Sequence, residues 1–345
     1  MLELNQLKLL AKAVANADPS NKVAYAYGEE KLTYSELNET LRSELNALAG
    51  DYKAFRENKN TVFTIIETVV DEVLPKKVMQ AYEMFADTKV FAQGDKPVFT
   101  IRTTEASRRR AKQFITKVGL AGVYEVFKLA GKSYEVPTSA FGGAAEIGLE
   151  EFLDGRVDFA ELTEIVMEGL DEAIYKEIAK ALIASINNMQ PANVHTEAGF
   201  NEAAMDRLIS VADAYGQATI YCTYEFAATM VPAEGWRSNS MKDEMWNNGY
   251  LANYKGHRVI VLDQSFEDET NSKKVIDPSY AWIIPAGSND KPVKVAFEGQ
   301  TQAREAENED WSREIQVYKK LGVAAIVENN ICVYANTNLE INDSI

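Results

Sequence analysis

The chain has 345 residues, room for one large or two modest domains, and 46% of them are hydrophobic, enough for a sizeable core. It carries 36 basic against 52 acidic side chains, a net charge of -16 at pH 7. That balance argues against tight nucleic-acid binding, which needs Lys and Arg to neutralise phosphates, but not against a container that holds DNA without gripping it. No run reaches the roughly 18 apolar residues of a membrane helix. The opening segment, 1–18, has no basic start, and Lys8 and Lys12 interrupt its apolar stretch, so it reads as a cytosolic chain rather than a secretion signal.

Residues 1–87 read as mostly helical. Thr33-Tyr-Ser-Glu36 has the spacing of a capping box, opening a helix that closes at Gly50. Val62, Ile65, Ile66, Val69, Val70 and Val73 form a second helical stripe. Pro75 is expected to interrupt it, with Val78, Tyr82 and Phe85 resuming the spacing beyond. This zone has too little apolar surface for a domain of its own and is expected to lie along something else.

Residues 91–155 read as strands around a charged connection. KPVFTIRT (96–103), GVYEVFKL (122–129) and KSYEVP (132–137) alternate, and Ala130-Gly131 reads as a hairpin turn. Between the first two lie Arg108, Arg109, Arg110 and Lys112, the densest basic cluster. It fits either a solvated loop or a set of bidentate contacts to carboxylates on a second subunit, with nucleic acid a weaker third option. The acidic run 304–310 fits a solvated loop, or a complement to those arginines in another copy.

Residues 158–188 carry the clearest helix, roughly 45 Å long at 1.5 Å per residue. Asp158 and Glu161 frame its start, and Leu162, Ile165, Val166, Leu170, Ile174, Ile178, Leu182 and Ile186 form a broad apolar face. Asn187, Asn188 and Pro191 stop it. From 193 onward the pattern mixes types: an amphipathic helix over 201–214, a strand at 218–226, a short helix from 241, strands at 258–262, 279–288 and 291–299. Two closing strands follow over 311–336, with a turn expected at Leu321-Gly322. The class is α+β.

Catalytic signatures are missing. No phosphate-binding glycine loop, Gly-x-Ser-x-Gly elbow or His-Glu-x-x-His is present, and FGGAAEIG (141–148) lacks dinucleotide-binding spacing. LDGRVDFAEL (153–162) imitates the second half of a calcium loop, but the register puts Phe152 at a ligand position, and Asp158 and Glu161 serve equally as a helix cap. His195 and His257 have no evident partners for acid–base work. Cys222 and Cys332 sit in apolar, strand-like runs and read as buried reduced thiols. No metal or cofactor is expected.

Three segments carry a resemblance. EIQVYKKLGVAAIVENNICVYAN (314–336) looks like a closing strand pair, NNGYLANYKGHRVIVLD (247–263) like a glycine turn feeding a central strand, and DEVLPKKVMQAYEMFADTKVFAQGDKPVFTI (71–101) like the approach from an N-terminal arm to an extended loop. In that order the sequence resembles the major capsid proteins of tailed bacteriophages, with the Hong Kong 97-like fold that encapsulins share.

The resemblance implies a helical N-terminal region and arm at 1–95, an extended loop at 96–150, a peripheral domain at 151–192 and 286–345 with its spine helix at 158–188, and an axial domain at 193–285. It implies hexamers and pentamers closing an icosahedral head around double-stranded DNA, in the virion after assembly in the host cytoplasm. Scaffold, portal and decoration proteins would be partners, and no catalytic residue carries over. An encapsulin-like compartment, or a soluble α+β enzyme with an unrecognised site, are the alternatives. An isolated two-stranded loop is unstable in water, so Val98, Phe99, Ile101, Tyr124, Val126, Phe127 and Tyr134 are expected to meet a neighbouring subunit, as are Arg108, Arg109, Arg110 and Lys132.

Overall fold

The computed structural model describes residues 3–17, 25–27, 30–83, 85–101, 132–147, 159–232, 238–266, 268, 270–286, 291–307, 313–326 and 330–339. The N-terminal helices are α1 (Leu4–Asn16), α2 (Tyr34–Ala49) and α3 (Tyr52–Tyr82). The short strands β1 (Tyr25–Tyr27) and β2 (Glu30–Leu32) pair between α1 and α2. The capping box is present: Glu36 N–H donates to Thr33 Oγ1, and Thr33 N–H donates to Glu36 Oε2 at 2.8 Å. Asp51 caps α3, accepting from Ala54 N–H at 2.8 Å.

Pro75 does not interrupt α3, contrary to the sequence expectation. Its missing N–H costs one ladder bond, but Val73, Leu74 and Val78 on either side of it are all buried. Core burial outweighs the local penalty. The spine helix, α4 (Phe159–Ile186), runs 28 residues; of its expected capping pair, Asp158 lies outside the described residues and Glu161 stands in the first turn.

Two sheets flank these helices. The four-stranded sheet has the order β3 (Ala86–Phe91), β12 (Val293–Glu307), β13 (Arg313–Ala325), β6 (Ser139–Ile147). β12 and β13 form a long antiparallel pair, broken by a bulge between Glu298 and Gln302. β3 runs parallel to β12, and β6 antiparallel to β13.

Two sequence expectations fail here. Leu321-Gly322 is no turn: both lie within β13, where Gly322 pairs with Ala296. The closing strands are not a pair either, because β14 (Cys332–Asn336) crosses into the second sheet. β6, which holds most of the glycine-rich stretch 141–148, is a sheet strand. Its Gly142 crosses β13 so closely that an added Cβ would fall 2.3 Å from the Val317 carbonyl oxygen.

The second sheet contains β7 (Val194–Glu197), β14, β11 (Tyr280–Ala286), β8 (Gln217–Thr223), β10 (His257–Leu262) and β9 (Asn253–Tyr254), in that order. Its central strands are buried on both faces. Tyr221, Trp282, Ile284 and Val333 face the main core with α1, α2, α3 and α4. Ile220, Cys222, Ala281, Ile283, Cys332 and Tyr334 face a second core beneath α5 (Glu202–Asp213) and α6 (Tyr224–Thr229). Double burial explains why these strands read as unbroken apolar runs. The run expected as strand through 226 turns helical at Tyr224, because Thr223 caps α6 by accepting from Phe226 N–H. α7 (Asn239–Asn248) follows, starting at the Ser238 cap.

Candidate assembly surfaces

β4 (Val98–Ile101) and β5 (Lys132–Glu135) form the base of the expected extended loop, pairing Phe99 with Tyr134 and Ile101 with Lys132. This base lies on the outer face of the four-stranded sheet. Strand alternation makes that possible: Val293, Val295 and Phe297 point into the main core, while Ala296 packs with Phe99 and Val136 on the other side. Phe99 is 1% exposed and meets Phe91 edge-on at 5.7 Å. Lys89 Nζ lies 4.7 Å and Lys294 Nζ 5.9 Å from its ring centre.

Phe99 therefore does not belong among the intersubunit residues. Its side chain is used up inside its own chain, anchoring the base of the loop. Val98 is part-exposed, Tyr134 is half-buried and Lys132 is exposed at the same base. Arg108, Arg109, Arg110, Tyr124, Val126 and Phe127 lie outside the described residues, as does the Ala130-Gly131 turn.

Charged groups that sequence reading missed hold this base. Lys294 is 2% exposed and sits 3.4 Å from Asp87 Oδ2. Glu298, also buried, accepts from Gly94 N–H at 3.3 Å and from the Thr138 hydroxyl, with Lys320 Nζ 3.6 Å away. The donated bonds, Thr138's first, hold the Glu298 carboxyl below its ordinary value. A signal did exist: Lys294 and Glu298 stand at even positions of an alternating strand, where a charge is tolerated only if it is solvated or paired.

A second surface opens on the opposite, helical side. Val14 of α1, Leu41 of α2, Ile65 of α3 and Met167 of α4 line an apolar groove of about 150 Å³. Glu164, Glu168 and Asp171 stand along it at helical spacing on α4. Tyr34 donates to Glu164 at 2.7 Å. Burial pushes the Asp171 carboxyl up, opposed by the nearby Lys77, and its Oδ1 has no hydrogen-bond partner among the described residues.

Among the described residues, the histidines and cysteines do not converge. His195 meets Glu197 at 3.0 Å, and His257 meets the Ala218 carbonyl oxygen at 3.2 Å and Asp213 at 3.5 Å, on separate parts of the second sheet. Burial pushes both the Cys222 and Cys332 thiols up to about 12. Among the described residues no group of three or more His, Cys, Asp or Glu side chains could hold a metal ion, and no helix is long and apolar enough to cross a membrane.

The family described as "SPbeta prophage-derived putative capsid protein YonB" matches residues 6–335, from α1 through β14. The chain belongs to this family. No curated protein matches the sequence. Among solved structures, the YonB-family chain is similar to a phage-related protein from Bordetella bronchiseptica RB50, at 12% identity and a TM-score of 0.49, over 81% of this chain and 98% of that one. It is similar to the head structure of Helicobacter pylori bacteriophage KHP40, at 14% identity and a TM-score of 0.45, over 73% and 88%. It is also similar to the holo-SrpI encapsulin complex from Synechococcus elongatus PCC 7942, at 11% identity and a TM-score of 0.44, over 79% and 90%. The chain is a capsid protein of mixed α and β fold, so its working surfaces are those it offers to other subunits.

Proposed function

We propose that this YonB-family chain is the major subunit of an icosahedral phage head, assembling as hexamers and pentamers around double-stranded DNA, and that it catalyses no reaction. One observation carries this beyond the family assignment. The loop base is riveted to the sheet by Phe99, yet 30 residues, 102–131, separate its two short strands. A two-stranded ladder of four residues a side is marginal in water by itself, which fits a loop completed by a neighbouring subunit.

The proposed parts are an N-terminal arm at 1–95, an extended loop at 96–150, a peripheral domain at 151–192 and 286–345, and an axial domain at 193–285. Ile101, Arg108, Arg109, Arg110, Tyr124, Phe127, Lys132 and Tyr134 are the proposed contacts with the next subunit. The charge of -16 suits a wall that confines DNA without adsorbing it. Scaffold, portal and decoration proteins are proposed partners, and assembly is placed in the host cytoplasm before the protein resides in the virion.

The test is size. The full chain, expressed alone and then with candidate scaffold and portal proteins, is followed by light scattering and negative-stain imaging. Closed shells, or rings of five and six, are expected. A chain that stays monomeric with scaffold and portal supplied overturns the proposal.

A further inference from the structure

We propose that the groove between α1, α2, α3 and α4 binds a small aliphatic diamine, its ammonium ends held by the carboxylate row of α4 and its methylenes by the apolar floor. The inference goes beyond the shell function and does not depend on it, because one chain supplies every wall of the groove.

Size and floor limit the ligand first. The groove holds about 150 Å³, and Leu41, Leu45, Ile65 and Met167 on its floor are all buried. These side chains offer water no hydrogen bonds, so the floor is better covered by carbon. A space of that size takes about six heavy atoms, the size of a short alkyl chain with two polar ends.

Charge limits it next. Glu164, Glu168 and Asp171 line the same groove, at about 6 Å and about 10 Å along the helix from the first, taking 1.5 Å per residue. Lys77 is the one cation among the lining residues, and Arg42 lies near the Tyr34 hydroxyl. Tyr34 donates to one oxygen of Glu164 at 2.7 Å. The Oδ1 atom of Asp171 is buried and has no hydrogen-bond partner among the described residues. A buried carboxylate oxygen without a donor costs free energy that an incoming ammonium recovers. An anion is repelled by this row, and a neutral molecule leaves its charge unmatched. A single ammonium meets only one end of the row. A diamine meets two of its members and lays its methylenes over Met167 and Leu45, so both the polar and the apolar features of the groove are used.

The experiment titrates 1,4-diaminobutane into the full-length chain by calorimetry at physiological ionic strength, and locates the ligand by the methionine methyl resonances. Met167→Leu identifies the Met167 signal. One saturable site per chain is expected, with the Met167 signal shifting. 1-Aminobutane, which keeps a single ammonium, should bind about tenfold more weakly, as the loss of one charge-assisted hydrogen bond requires. Asp171→Asn and Glu168→Gln should each weaken the diamine by about the same factor. Uptake that never saturates, and that salt screens equally in every variant, would be the diffuse counterion cloud of an acidic chain and would sink the proposal. Equal affinities for the amine and the diamine would do the same, since the site would then read one charge only. Saturable binding that neither substitution alters, or that leaves the Met167 signal in place, puts the diamine elsewhere and overturns the groove assignment. Should Asp171→Asn fail to fold, Glu168→Gln decides, because the Glu168 side chain is exposed and its loss leaves the packing intact.

Discussion

Lys319 Nζ lies 2.6 Å from Asp71 Oδ1, and the lysine is 1% exposed. The same carboxylate oxygen accepts from Thr301 N–H at 2.9 Å and from its hydroxyl at 2.6 Å, while Lys319 also donates to the Gly299 carbonyl at 2.7 Å. The cluster ties the middle of α3 to the bulge in β12, with Glu67 adding a bond from Ala303 N–H at 2.9 Å. A bulge leaves ladder groups unpaired, and here a helix supplies their partners.

Asp71→Ala is expected to destabilise the unassembled subunit by about 3 kcal/mol, because it strands a buried ammonium. Lys319→Met is expected to cost clearly less, since it removes the buried charge and keeps the volume, leaving Asp71 its two bonds to Thr301. Urea denaturation of both variants measures the asymmetry, and equal losses would show that the ion pair is not the fastener.

Acid should loosen the loop base. The folded Glu298 carboxyl lies below its ordinary value of 4.5, so its contribution is fully present above that pH and is lost as pH falls through the lowered folded value. Denaturation midpoints measured from pH 7 down to 3 should fall less steeply for Glu298→Gln than for the wild type. Parallel curves would remove Glu298 from the acid response.

Gly322→Ala should destabilise by about 1–3 kcal/mol, read as a lower thermal midpoint. A Cβ there would lie 2.3 Å from the Pro137 carbonyl oxygen, and backbone would have to move. Gly143→Ala in the adjoining strand is the control. Nothing lies within 4 Å of its added Cβ, so the midpoint should hardly change.

Both cysteines should resist thiol reagents at pH 8 while the chain is folded, since burial keeps Cys222 and Cys332 protonated. Labelling in rising urea should then track unfolding of the second sheet. Fast labelling of either thiol in buffer would mean that this sheet opens readily.

Much of the element map was legible from sequence because it depends on neighbours within a few residues. Thr33 and Glu36 announced α2, the apolar face of 162–186 announced the spine helix, and the alternation in 96–103 announced the loop base. The role of Arg108, Arg109 and Arg110 remains with their chemistry, since they lie outside the described residues.

What the sequence by itself determined was the type of each element: capping, periodicity and β-branching act locally and need no knowledge of the rest of the chain. Tertiary structure alone decided the partners. Gly322 looks like a turn residue, yet the need for a close backbone crossing at Pro137 keeps it in a strand. β14 looks like the mate of β13, yet burial on both faces draws it between β7 and β11. Phe99 looks like a residue meant for a neighbour, yet Ala296 and Val136 leave a site on its own sheet that the ring fills. Which of two surfaces covers an apolar side chain is settled by contacts far apart in sequence, and no local pattern encodes that choice.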